Sequence, residues 1–90
     1  MMSFAARVSD MIVSTATNGV PTPIIPPGEP TVLIAGLPAA RVGDSCGADA
    51  IVMGSTTVLI GGLPAARIGD PTGGGGTVVS VGAPTVLIGG

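Results

Sequence analysis

A fourteen-residue unit occurs twice in this chain and once more in halves, and that repetition restricts the possible folds more than any other feature. Thr31 to Asp44 reads TVLIAGLPAARVGD, and Thr57 to Asp70 reads TVLIGGLPAARIGD with two conservative differences. The ends of the chain hold the rest. Phe4 to Asp10 (FAARVSD) matches the second half of the unit, and Thr85 to Gly90 (TVLIGG) matches the first half. Near-identical units make the same local structure and stack on one another in the same way. Three of them, one divided between the termini, predict a ring closed by the two ends of the chain, with a pseudo-threefold axis.

Within a unit, Thr-Val-Leu-Ile has the β-branched and aliphatic composition of a strand. Ala35-Gly36 and Gly61-Gly62 follow it, with the glycine that a tight hairpin turn requires. Ala-Ala-Arg-Val/Ile-Gly-Asp reads as the returning strand, and Pro38 and Pro64, which cannot donate to a ladder, belong at the turn end or on an outward edge. The expected architecture is all-β: a small conical domain of three hairpins, the third made by pairing Thr85 to Ile88 with Ala5 to Val8. Ring closure leaves fewer open strand edges. The connections Met11 to Pro30, Ser45 to Thr56 and Pro71 to Pro84 read as irregular, stiffened by proline in the first and loosened by Gly73 to Gly76 in the third. No window carries an uninterrupted helical apolar period.

With 90 residues the chain has room for one domain, 1–90, with no effector extension expected. Gly and Pro make up 25 of those residues, a share that by itself suggests disorder, but the chain is 46% hydrophobic and only 9% charged. Short strands separated by tight turns satisfy both figures. Three Arg against five acidic residues, with no Lys and no His, exclude an electrostatic footprint for nucleic acid. Few charges remain to keep a free chain in solution, so a partner covering part of its surface is expected. Cys46 is the only cysteine and excludes an intrachain disulfide. The first ten residues lack the basic and apolar regions of a signal peptide, and the apolar runs Val32 to Ala40 and Val58 to Ala66 are too short to span a bilayer.

The Pro-Ala-Ala-Arg tetrapeptides Pro38 to Arg41 and Pro64 to Arg67, each framed as TVLIxGLPAARxGD, resemble the PAAR-repeat family. The connectors Ile25-Pro26-Pro27-Gly28 and Ile51 to Ser55 resemble it too, so the likeness covers essentially the whole chain. It implies a conical, non-enzymatic tip that caps the distal end of a trimeric valine-glycine-repeat spike in a type VI secretion or phage-like machine. One cap would serve each spike trimer, with effector proteins as possible further partners and the target membrane met only in passing. Such a protein is assembled in the bacterial cytoplasm and leaves the cell on firing. A structural adaptor that recruits effector cargo, docking through the long first connection, is the alternative.

Many relatives bind zinc near the apex through three histidines and a cysteine. This chain has no histidine, and Ile12, Ser14 and Gly74 fall near the places where relatives hold ligands. Cys46 alone cannot make a four-ligand site, so no metal or other cofactor is expected. No catalytic residue is assigned either, because a thiol nucleophile would need a base that the sequence lacks. Arg7/Asp10, Arg41/Asp44 and Arg67/Asp70 recur at identical places in each unit. They read as scaffold rather than as an anion or spike site, together with Pro38, Ala39, Ala40, Pro64, Ala65 and Ala66. Alternation along the strands puts Val and Ile on one face and Thr and Leu on the other. Val32, Leu33, Ile34, Val58, Leu59, Ile60, Val86, Leu87 and Ile88 are therefore the expected contacts with the spike.

Overall fold

The computed structural model describes residues 3–79 and 83–89. Its strands are β1 (Ser3–Ala5), β2 (Met11–Val13), β3 (Thr22–Pro23), β4 (Glu29–Ile34), β5 (Leu37–Ala39), β6 (Leu59–Ile60), β7 (Leu63–Pro64), β8 (Thr77–Val79) and β9 (Ala83–Ile88), with no helix among the described residues. The two intact units form the hairpins β4–β5 and β6–β7, and the divided unit forms β1–β9 from opposite ends of the chain. Both intact hairpins turn through two residues of positive φ, Ala35-Gly36 and Gly61-Gly62. That mirror-image turn matches the right-handed twist of the strands it joins. Pro38 faces Leu33 and Pro64 faces Leu59, one step in from the turn-flanking pairs Ile34/Leu37 and Ile60/Leu63. In that alternate position a residue does not bond across the hairpin, so the missing N–H is not needed there.

The third hairpin is registered differently from the expectation. β9 pairs with Ser3 to Ala5, through Ser3/Ile88, Phe4/Leu87 and Ala5/Ala83, so of the expected Ala5 to Val8 only Ala5 takes part. In the same way, β5 and β7 begin at Leu37 and Leu63, so the returning strand precedes most of the alanine-arginine run. The reason is that the alanines are used by the ring.

Ala6 N–H donates to the Ala66 carbonyl at 3.0 Å, Ala66 N–H to Ala40 at 3.0 Å, and Ala40 N–H to Ala6 at 3.1 Å. A second cycle surrounds it, from Val8 to the Pro38 carbonyl, Val42 to Pro64 and Ile68 to Phe4, each at 2.9 Å. These closed circuits surround the pseudo-threefold axis, and the alanines beside it are fully buried. Successive alanines point to opposite sides. Ala6, Ala40 and Ala66 enter a core with Ile12, Ile24, Cys46, Ile51 and Val78. Ala5, Ala39 and Ala65 enter a second core with Ile34, Ile60 and Ile88. The molecule thus has a hairpin end and a loop end, and measures 29 × 24 × 23 Å.

At the loop end each unit makes a tight turn in which Asp10, Asp44 or Asp70 N–H returns to the Arg carbonyl three residues before, at 3.0 Å in all three. The third turn residue has positive φ: 98° at Gly43, 96° at Gly69 and 86° at Ser9. A serine there carries the steric cost of the left-handed region, which glycine avoids. Ser9→Gly should therefore stabilise the protein by about 0.5–1 kcal/mol after the loss of backbone entropy is deducted, raising Tm in a thermal melt by roughly 3–6 °C.

The connections are more ordered than their composition suggests. β2 is the centre of a three-stranded sheet with β3 and β8, so Ile12 of the first connection faces Val78 of the third. Gly73 to Gly76 is a hydrogen-bonded turn rather than a loose tether, with Gly73 N–H on the Ala50 carbonyl and Gly75 N–H on Thr72. Ser80 to Gly82 in the third connection, and Gly90 of the last half-unit, lie outside the described residues.

Candidate functional site

Three equivalent leucines stand out from the hairpin end. Leu33 is 62% exposed, Leu59 63% and Leu87 49%. Phe4 and Leu63 are exposed nearby in the chain, and Val32 and Val58 lie at the boundary between exposed and half-buried. Local sequence explains the arrangement: strand alternation turns Leu outward and the following Ile inward, three times over. Ile34, Ile60 and Ile88 are accordingly buried in the second core with Val86 packed against them. Of the nine expected contact residues, the leucines and the valines Val32 and Val58 reach the surface.

The arginines are alike in backbone and unlike in side chain. The N–H groups of Arg7, Arg41 and Arg67 donate to Oδ2 of Asp10, Asp44 and Asp70 at 2.9, 2.7 and 2.6 Å. Asp10 and Asp70 also pair with their guanidiniums, Arg7 at 3.4 Å and Arg67 at 2.7 Å. Arg41 instead pairs with Glu29 Oε1 at 3.1 Å, and the Asp44 carboxylate accepts only the Arg41 backbone N–H among the described residues. Glu29 precedes its TVLI run by two residues, where the second unit has Ser55. Thr31, through its hydroxyl and its N–H, holds the Glu29 carboxyl below the usual range, with Arg41 adding to the effect. Arg67, lifted further above its usual range by its bonds to Asp70, also donates to the Gly89 carbonyl at 3.2 Å. Ser55 Oγ donates to that same carbonyl at 2.6 Å. The two bonds to Gly89 tie the third hairpin to the second, whereas the Arg41–Glu29 pair lies within the first.

At the loop end Cys46 is a free, buried thiol whose Sγ donates to the Asp49 carbonyl at 3.5 Å. Asp49 is the carboxylate that sequence reasoning passed over. The hydroxyl of Thr72, then that of Ser14, with the N–H groups of Ala50 and Gly74, holds it below the usual range against the opposing effect of burial. The only available signal was its place in the Ser45 to Thr56 connection, which no unit repeats.

The class defined by this arrangement is a small all-β domain of three near-equivalent hairpins with an apolar surface repeated around one end. The family model described as PAAR motif matches residues 4–47 and 14–80, most of the chain, and the protein belongs to that family. PAAR proteins are structural components of spike tips in contractile injection systems and bind spike proteins. No curated protein matches the chain at a significant level.

The zinc that many relatives carry does not suit the donors present here. Ile12 is an apolar core residue, Gly74 has no side chain, and the Ser14 hydroxyl already accepts Ala16 N–H at 3.1 Å. Among the described residues no three His, Cys, Asp or Glu side chains gather as ligands.

Proposed function

We propose that this protein is a non-enzymatic cap, one per spike trimer, that seats its hairpin end on the distal end of a trimeric spike and leads it through the target envelope. The observation that carries the reading is the outward trio Leu33, Leu59 and Leu87, set around an axis defined by cyclic hydrogen bonds. Symmetry gives the physical reason: one chain with three equivalent edges can satisfy three identical spike chains together. Completing the burial of a half-exposed leucine contributes about 1–2 kcal/mol, and the trio multiplies that contribution. Assembly in the cytoplasm, followed by delivery beyond the cell on firing, is part of the same proposal.

Native mass measurement of the protein mixed with its cognate spike should give one cap to three spike chains. Leu33→Asp and Leu59→Asp should fold, because both positions face solvent, yet weaken the complex at least about 100-fold, since a buried unpaired carboxylate is disfavoured by several kcal/mol. A 3:3 complex, or unchanged affinity in both variants, would refute the proposal. A second role, as an adaptor for effector cargo, draws support from Val20 and Ile25, exposed in the first connection. An adaptor alone would not require the 1:3 ratio.

A further inference from the structure

All three connections meet at the loop end around one carboxylate. Asp49, 9% exposed, accepts Gly74 N–H and Ala50 N–H on Oδ1, both at 2.8 Å. Thr15 Oγ1 from the first connection donates to the Gly74 carbonyl at 2.8 Å. The other carboxylate oxygen, Oδ2, is enclosed with no hydrogen bond of ordinary geometry. It lies under Gly74, where an added Cβ would come within 2.8 Å of Oδ2 and 2.9 Å of both Ser14 Oγ and Ala16 Cβ. Glycine is needed at that position because the carboxylate and its neighbours already fill the space.

An enclosed carboxylate oxygen without a partner is costly, so something must satisfy it. A metal ion is poorly suited, because no three His, Cys, Asp or Glu side chains gather as ligands among the described residues. Hydroxyl protons are better suited. Ser14 Oγ accepts Ala16 N–H, and Thr72 Oγ1 accepts Gly76 N–H at 3.2 Å, which leaves each hydroxyl proton free to rotate. Oδ2 and Ser14 Oγ border the same point beneath Gly74, and the hydroxyls of Thr72 and Ser14 help to hold the carboxyl below its usual range.

We propose that Asp49 fastens the loop end of this protein in place of a metal ion, its Oδ1 held by the Gly74 and Ala50 amides and its Oδ2 by the Ser14 and Thr72 hydroxyls. The carboxylate links the second connection to the first and third. The fastener belongs to the fold and stands whether or not the cap role does.

The test combines thermal melts with metal chemistry. Asp49→Ala should lower Tm by roughly 10 °C, the loss expected when charge-assisted bonds are removed from a domain of this size. Ser14→Ala and Thr72→Val should each lower Tm by a few degrees in the parent and by less when combined with Asp49→Ala, where only the bonds from Ala16 and Gly76 N–H are left to lose. EDTA or added zinc chloride should leave the parent Tm unchanged. The proposal is overturned if Asp49→Ala melts like the parent, if the hydroxyl variants give the same shift in both backgrounds, or if EDTA destabilises the parent and zinc restores it. Should Asp49→Ala fail to fold, amide exchange in the parent decides. Gly74 and Ala50 N–H groups protected in EDTA support the fastener, and rapid exchange at both refutes it.

Discussion

Without Thr85 to Gly90 the protein should lose cooperative folding altogether. Ile88 is buried in the second core with Val86 against it, and β9 is the partner of β1. The Gly89 carbonyl also accepts from Ser55 and Arg67, so the last residues secure the neighbouring hairpin as well. Losing a buried isoleucine costs about 2–5 kcal/mol with its cavity. The valine, the strand pairing and the two side-chain bonds add to that, against a total stability of the order of 5–13 kcal/mol for a chain of this size. The open edge of β1 would then invite association between copies. Urea unfolding of the truncated chain should show no sigmoidal transition, and size-exclusion chromatography should show aggregates. A soluble, cooperatively unfolding truncation would show that the third hairpin is dispensable.

Ala40→Val should destabilise the ring by about 1–3 kcal/mol, a fall in Tm of roughly 5–20 °C. Ala40 is fully buried, and its backbone both donates to Ala6 and accepts from Ala66. Added methyl groups must be accommodated between segments that three hydrogen bonds hold together, so neither side can move away without straining the cycle. Ala66→Val, on the same axis, should give a similar loss. The two together should cost more than the sum, because both enlarge side chains in the same core. Thermal melts of the single and double variants provide the check. Tm values within a degree or two of the parent would mean that the axis has space the geometry does not show.

The closed circuits also explain why the repeat was so informative. Thr-Val-Leu-Ile, the two-residue turn and the proline one step from it specify a hairpin through neighbours in sequence alone, and β4–β5 and β6–β7 follow that pattern. The split unit announced that the ends pair, because half a hairpin at each terminus cannot otherwise bury its apolar face. Strand alternation likewise separated the leucines of the candidate surface from the isoleucines beneath them.

Other features depend on residues far apart in the chain, and no local pattern encodes them. The register of β1 against β9 is set by the need of Ala6 and Val8 to bond to other units. The pairing of Met11 to Val13 with Thr77 to Val79 joins stretches that share nothing but β-branched composition. The choice of Glu29 by Arg41 turns on where the ring places an unrepeated side chain. The role of Asp49 follows from the meeting of three unequal connections at one point. Sequence by itself determined the hairpin unit, its threefold repetition and the closure of the ring, because those rest on local backbone preferences and on the burial of a repeated apolar stripe. Only the tertiary structure decided which polar groups meet, because hydrogen bonds and ion pairs depend on angstrom-scale distances that the packing of the alanine axis sets.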